Sequence, residues 1–463
     1  MTPPNPAIFR EYDIRGTYGV SLFERDAHAI GRACAAELRA RGGRRMAVGR
    51  DGRLSSPVLE AALVEGLLSG GVDVVRIGVG PTPMLYFAEA SLEEVDGGIQ
   101  VTGSHNPPDD NGFKIVMQGA ALFGAAIGGI GERASNLPDS VGARGVCQDR
   151  EILGAYVESL LKGADARWRA QAAGLRMGWD AGNGAAGPAL EALAAHLPGE
   201  HHILFSAIDG HFPHHHPDPS VAENLADLQA LVAARHLDFG VALDGDGDRI
   251  VVVDARGRII LGDQLLAILA QDLLLDRPGA LILADVKSSQ GVFDRIAALG
   301  GVGRMAPAGH SLVKSAMKQT GAMLAGETTG HIFYADRYYG FDDALYAAVR
   351  LIGAVARAGR SVAAMLDSLP RWVNTPELRF AVDPARKLAV VAEVAARLAA
   401  EGAVVDMTDG LRVTRAGGWW LLRASNTQDM LTARAETADE AGLAVLLAEV
   451  DAQLAQSGVS RGA

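Results

Sequence analysis

Short apolar runs, polar loops and helical stretches follow one another in the same order three times along the chain. Arg45-Met46-Ala47-Val48-Gly49 reads as a strand that ends at the polar turn Arg50-Asp51-Gly52-Arg53. A helix follows, with Ser55-Ser56-Pro57 supplying an N-cap and an early proline. Val72 to Ile77 then reads as the next strand. The same order recurs at Leu175 to Trp179, the turn Gly182 to Gly187 and a helix opening at Pro188. It recurs again at Ala280 to Ala284, the loop Asp285 to Ser289 and a helix from about Gln290. Strand, polar loop and helix in this order predict parallel βαβ sheets. Ligands of such sheets sit at the loops leaving the C-terminal strand ends.

The C-terminal stretch breaks the pattern. Pro370 to Pro376 reads as a linker, and a helix is expected from about Pro384 to Glu401. Leu411 to Arg415 and Trp419 to Arg423 flank Ala416-Gly417-Gly418, a hairpin signal. The expected class is α/β, with three similar βαβ-type domains at 1–152, 153–254 and 255–367. A smaller α+β domain at 368–463 closes the chain.

Composition bounds this picture without changing it. The 463 residues are about three times a typical domain, and 49% hydrophobic with 21% charged residues lets every domain bury a core. The net charge of −12 argues against a general nucleic-acid binder and against adhesion to an anionic membrane. It leaves an anionic small substrate open, because a local basic pocket is invisible in a global sum. Cys34 and Cys147 form no CxxC pair, so reduced, mostly buried thiols are expected. The N-terminus has no basic region followed by an apolar core, and Gly119 to Gly131 is too short and Gly-rich to span a bilayer. A cytoplasmic protein is the expectation.

Four loops could carry chemistry. In Leu243-Asp244-Gly245-Asp246-Gly247-Asp248-Arg249, three carboxylates at alternate positions can converge on one hard cation. An EF-hand would place Gly where Arg249 stands and Glu where Ala255 stands, so a small Mg²⁺ site helped by a substrate phosphate fits better. A solvated acidic turn is the plainer alternative. Arg249 beside the metal suits a phosphate oxygen. Thr102-Gly103-Ser104-His105-Asn106-Pro107-Pro108 exposes a serine in a turn, but Asn106 occupies the second Gly position of a hydrolase elbow. Lys114, ten residues on, offers a cation or a proton-transfer group. Gly326-Glu327-Thr328-Thr329-Gly330-His331 suits polyol recognition, since sugar hydroxyls both donate and accept. Arg423-Ala424-Ser425-Asn426-Thr427-Gln428 describes a phosphate cradle. Each of these last three, alone, could be an ordinary polar loop.

Two other features are set aside. Gly182-Asn183-Gly184-Ala185-Ala186-Gly187 matches GxGxxG, but His201 to Ser206 supplies no nearby acid for a nicotinamide ribose. The tract His211-Phe212-Pro213-His214-His215-His216-Pro217 reads as a rigid surface loop rather than a metal site. The chain has no Gly-Lys dipeptide and therefore no P-loop.

Taken in order, these motifs resemble the α-D-phosphohexomutase family, most closely its bacterial phosphomannomutase/phosphoglucomutase branch. The segments are Phe9 to Gly16, Val48 to Asp51, Thr102 to Pro108 with Asn111 to Ile115, Asp244 to Arg249, Gly326 to His331 and Arg423 to Thr427. Asp180 to Gly184, His215 to Pro219, Gly309-His310-Ser311 and Tyr339 to Asp343 look similar to that branch too. The resemblance implies four domains with mixed sheets in the first three, arranged around a central active-site cleft. It places a phosphoryl group on Ser104, with Asp244, Asp246 and Asp248 binding Mg²⁺ together with that phosphate. Arg249 would neutralise the transferring group; Lys114, His310 and His331 are the acid/base candidates, with Arg15 and Tyr12 lining the site. Glu327 and Thr329 would grip the sugar hydroxyls, Lys287 and His310 would touch the sugar, and Arg423, Ser425, Asn426 and Thr427 would hold the other phosphate. The implied reaction interconverts hexose 1- and 6-phosphates of mannose and glucose through a 1,6-bisphosphate that reorients, with glucose 1,6-bisphosphate as activator, in a monomer or homodimer.

The chain departs from the family pattern at Thr328-Thr329, Asp110 and Gln428-Asp429. A phosphoglucosamine mutase, a Mg²⁺-dependent sugar-phosphate phosphatase and a catalytically silent sugar-phosphate sensor stand as alternatives.

Overall fold

The computed structural model describes residues 3–136, 143–164, 166–425 and 430–460. In the first domain, Arg45–Arg50 lies at the centre of a sheet, parallel to both Asp73–Val79 and Gly97–Val101. Its apolar residues Met46, Ala47 and Val48 are fully buried, as the run of apolar residues requires of a strand covered on both faces. The next strand, Asp110–Met117, returns antiparallel against Gly97–Val101. Residues 102–109 thus form a loop between a buried parallel strand and an antiparallel return.

The same device appears twice more. Phe239–Leu243 runs parallel to Arg176–Asp180 and is followed, after residues 244–249, by antiparallel Ile250–Asp254. Leu324–Gly326 runs parallel to Leu281–Asp285 and is followed, after residues 327–331, by antiparallel Ile332–Tyr334. The expected parallel units are present, and this return makes each sheet mixed, as the family resemblance implied. The serine, acidic and Glu-Thr-His loops are therefore topological equivalents, each at the C-terminal end of a parallel strand. The second sheet also extends past residue 254, since Ile259–Ile260 pairs with Val252 and Val253.

The fourth sheet is wholly antiparallel, in the order Val373–Asn374, Met430–Thr437, Gly418–Ala424, Leu411–Arg415, Val404–Asp406. The segment read as a linker thus contributes a short edge strand. Helices Lys387–Ala400 and Glu440–Ala455 pack against this sheet.

One continuous apolar core joins the first three domains and includes Tyr156, Trp179, Leu265 and Leu345. The fourth domain keeps its own core around Phe380, Val394, Trp420 and Leu431. A small cluster of Val286, Trp419 and Leu421 joins it to the third. Cys34 is buried, whereas Cys147 lies on an edge strand and is exposed, which corrects the expectation of buried thiols. Among the described residues no helix is long and apolar enough to cross a membrane.

Candidate active site

Ser104 adopts a left-handed backbone (φ 50°), costly for a residue with a Cβ. Arg53, fully buried, holds that conformation in place. Its guanidinium donates to the carbonyls of Ser104 and Asn106, both at 2.7 Å, to that of Asp110 at 2.9 Å, and to that of Pro107. Asp51 accepts from Arg53 Nε and from the Gly103 amide, so the charge is balanced. The acidic loop lies directly against this turn. A Cβ on Gly245 would come within 2.4 Å of the Ser104 carbonyl oxygen, so only glycine permits the approach.

Across that contact, Ser104 Oγ donates to Asp244 Oδ2 at 2.9 Å and lies 3.1 Å from His105 Nδ1. Asp244, Asp246 and Asp248 are all fully buried behind the serine. Lys114, on the return strand of the first domain, ion-pairs with Asp246 Oδ2 at 2.7 Å and with Asp248 Oδ2. Thr82 also donates to Asp246 Oδ2, at 2.5 Å.

These contacts push two chemically identical carboxyls, Asp244 and Asp246, in opposite directions. Burial pushes the Asp244 carboxyl well above its usual range, and Asp246 and Asp248 add to the push. At Asp246 burial opposes ionisation too, but Lys114 outweighs it and holds the carboxyl below its usual range. Burial likewise opposes the Lys114 charge, yet Asp246 and Asp248 raise its pKa well above the ordinary value. Lys114 is thus an ammonium, a donor with no lone pair.

The acidic loop passes a test of fit for a divalent cation. Its three carboxylates offer oxygens within 4.8 Å of one another. Asp246 Oδ1 and Asp248 Oδ1 are buried with no hydrogen-bond partner among the described residues. Orphaned buried carboxylate oxygens are costly, and a hard cation such as Mg²⁺ would satisfy them. Asp248, His331 and Asp342 form a second such group.

In front of this corner opens a cleft of about 460 Å³ walled by all four domains. Tyr12, Arg15, Ser104, Lys114, Arg249 and Lys287 reach it, as do His310, Glu327, Thr329, His331, Arg423 and Ser425. Asn426 and Thr427 lie outside the described residues. Arg249 Nε donates to His331 Nε2 at 3.0 Å. An arginine Nε only donates, so His331 accepts there; its Nδ1 lies 2.9 Å from Asp342 Oδ2. His310 stacks on His331 with ring centroids 5.4 Å apart. Burial, then the nearby Lys314 ammonium, depresses its pKa well below the ordinary value.

Glu327 Oε1 accepts from the Gly309 amide at 2.6 Å, and burial raises its pKa. Thr328, one of the departures from the family pattern, turns its hydroxyl to Asp285 at 3.1 Å and leaves Thr329 to face the cleft. Lys287 lies 3.8 Å from Asp285. Tyr12 donates to the Ala308 carbonyl, and Arg423 pairs with Asp409 at 2.9 Å. Asp110, a second departure, accepts from Thr17 and Asn106, and Asn106 in turn accepts from Arg15 at 2.5 Å.

Several residues here had no role in the sequence reading: Arg53, Thr82, Lys314, Asp342, Asp409 and the cleft-wall pair Glu377 and Arg379. Arg53 follows a strand end in one of the three repeats, which is the signal that could have found it. The histidine tract is structural: His215 pairs with Asp180, His214 stacks on Phe205 and its Nδ1 lies 2.7 Å from Asn183 Oδ1 of the glycine turn. Both set-aside features brace one another.

Family models described as phosphoglucomutase/phosphomannomutase alpha/beta/alpha domains I, II and III match residues 6–137, 154–257 and 261–372. The model of the C-terminal domain matches residues 377–453. The chain is 42% identical over 437 residues to a phosphomannomutase/phosphoglucomutase of Pseudomonas putida, covering 94% of this chain and 93% of the relative. A phosphoglucomutase of Neisseria gonorrhoeae is 41% identical over 442 residues, covering 94% of each. The fold superposes on the crystal structure of a phosphoglucomutase/phosphomannomutase family protein from Burkholderia thailandensis with a TM-score of 0.90, at 41% identity over 97% of both chains.

Proposed function

The chain belongs to the α-D-phosphohexomutase family, and from that premise we propose that it interconverts the 1- and 6-phosphates of glucose and mannose. The observation that carries this reading is the single cleft in which Ser104, Lys114, Arg249, Glu327 and Arg423 meet. Asp244, Asp246 and Asp248 would hold Mg²⁺, whose charge supplies electrostatic stabilisation to a transferring phosphoryl group.

Ser104 Oγ carries the phosphoryl group at rest. The Oγ–P bond breaks as a new P–O bond forms to the free hydroxyl of the bound sugar phosphate; that hydroxyl loses its proton, and the departing Ser104 Oγ takes one up from the Lys114 ammonium. Arg249 and Lys114 spread their charge over the phosphoryl oxygens at the point of transfer. The proton falls to the histidine pair. Within that pair, His331 Nε2 becomes free to take it once Arg249 turns to the phosphate, while His310, uncharged through burial, has its Nδ1 3.2 Å from the Lys314 ammonium.

The resulting 1,6-bisphosphate turns over and returns its other phosphate to Ser104. Glu327 and Thr329 grip hydroxyls common to both orientations, Lys287 and His310 touch the sugar, and Arg423 and Ser425 hold the phosphate that is not reacting, with Tyr12 and Arg15 lining the site. Asn426 and Thr427 complete that loop in this reading.

The test is turnover of glucose 1-phosphate and mannose 1-phosphate with glucose 1,6-bisphosphate as activator, following 6-phosphate and free phosphate together. The expected result is 6-phosphate without matching free phosphate. Free phosphate in step with substrate loss would make the protein a phosphatase instead, and turnover of glucosamine 1-phosphate alone would move it to the phosphoglucosamine branch.

A further inference from the structure

In the fourth domain a row of side chains crosses three strands on the face turned to the cleft. Strand Leu378–Ala381 pairs antiparallel with Met430–Thr437 and sets Arg379 opposite Thr432. Thr432 is in turn the register partner of Arg423 in Gly418–Ala424. Side chains alternate between the two faces of a sheet, and Phe380, Leu422, Leu431 and Ala433 take the other face, in the core of the domain. Arg379, Thr432 and Arg423 are left together on the outer face, and all three line the cleft. Two strand spacings, about 10 Å, separate the backbones of the arginines, within the combined reach of their side chains.

The two arginines are held differently. Arg423 is buried and keeps Asp409 at 2.9 Å, and Asp409 also accepts from the Ala308 amide of the third domain at 3.0 Å. Asp409 is thus fixed in place, and it cancels much of the Arg423 charge that a phosphate dianion would meet. The side chain of Arg379 is 61% exposed, and its partner is Glu377, two residues back on the same face, at 3.5 Å. An ion pair so loose and so exposed contributes little. Arg379 can therefore exchange Glu377 for a phosphate at small cost, and it brings a second guanidinium fork to a place where the first is already shared.

We propose that Arg379 binds the non-reacting phosphate of the sugar beside Arg423, with Glu377 as the counter-ion it leaves on binding. This rests on the mutase reading and extends the phosphate grip to a strand outside the loop Arg423 to Thr427. The phosphate that is not reacting takes the same place in both orientations of the sugar, so Arg379 serves 1-phosphates and 6-phosphates alike. Glu377 competes with that phosphate for the guanidinium, and it also lines the cleft. Removing its charge should therefore tighten binding, whereas removing that of Arg379 should weaken it.

Isothermal titration of glucose 1-phosphate and glucose 6-phosphate into the full chain carrying Ser104→Ala reads binding with no phosphoryl transfer to that serine. Adding Arg379→Met is expected to raise the Kd of both ligands about tenfold. Arg379→Lys, which keeps the charge and loses the fork, is expected between the two. Glu377→Gln is expected to lower both Kd values at least about twofold. An unchanged Kd in Arg379→Met would overturn the proposal, as would a loss confined to one of the two phosphates or the absence of saturable binding. A Glu377→Gln chain that binds no more tightly would overturn the exchange of counter-ions. Failure of the mutase reading shows differently: the unaltered protein would bind both phosphates through Arg379 and interconvert neither.

Discussion

Ser104 and Arg423 face the same cleft from opposite kinds of surroundings. Behind Ser104, Arg53 gathers four backbone carbonyls, and two buried carboxylates, Asp246 and Asp248, close on Lys114. That corner is built into the core shared by the first three domains. Arg423 belongs to a domain with a core of its own, joined to the third by few polar contacts. Arg412 donates to the Val286 and Ser288 carbonyls while its guanidinium lies over the Trp419 ring, and Glu436 meets Gln290. The difference separates two tasks. Groups that meet the reacting atoms are fixed before a sugar arrives, which favours transition-state stabilisation. Groups that grip the distant phosphate sit on a unit that can be perturbed by itself. Losses at the first should therefore appear in kcat and in stability, and losses at the second in KM.

The largest effect is expected from Lys114→Met, which leaves the acidic corner without its ammonium. A fall in kcat on the order of 10³-fold is expected, together with about 3–5 kcal/mol of stability because buried carboxylates lose their partner. Steady-state kinetics and urea unfolding check the two halves. A variant with unchanged kcat would break the comparison.

Arg53→Met touches no substrate, yet it should release the serine turn and strand Asp51. About 3 kcal/mol of destabilisation with a clear loss of kcat is expected, read by the same two measurements. Destabilisation with full activity would show that the turn holds itself.

Asp343 probes the shared core. It accepts from Tyr156 of the second domain and Tyr338 of the third, and burial pushes its pKa up to about 7 from 3.8. Between those values the native state keeps a proton that the unfolded chain has lost. Its contribution to stability therefore falls as pH rises through that window, then levels off above it. Relative to Asp343→Asn, the unaltered protein should lose on the order of 2–4 kcal/mol between about pH 4.5 and pH 7.5. Urea unfolding across that range checks the sign, and a parallel pair of curves would contradict it.

The smallest effect is expected in the fourth domain. Arg423→Lys keeps the charge and loses the planar fork, so KM should rise about tenfold with kcat within about threefold and the melting temperature unmoved. A collapse of kcat equal to that in Lys114→Met would erase the distinction between the two regions.

Much of this was legible in the chain because the informative residues are close together. The Asp-Gly-Asp-Gly-Asp run and the serine turn are local signals, and three repeats of strand, loop and helix announce themselves through apolar runs. The antiparallel returns were not legible in the apolar runs themselves, since a run such as Ile332–Tyr334 carries no sign of its direction, and only the family resemblance implied mixed sheets. Nor was the pairing of Lys114 with Asp246, which are 132 residues apart. Arg53 escaped for a different reason. Most of its partners are backbone carbonyls, which leave no residue type to recognise. Asp409 had neither a repeat nor a motif around it, and only the fold brings it to Arg423.

The claim on which the rest depends is that Ser104 carries the phosphoryl group. Intact-mass measurement after incubation with glucose 1,6-bisphosphate, followed by peptide mapping, tests it directly beside Ser104→Ala. The account predicts one phosphoryl group on the peptide containing Ser104, and none, with turnover lost, in the variant. Phosphate on a different residue, or a Ser104→Ala protein that turns over at the original rate, would contradict it.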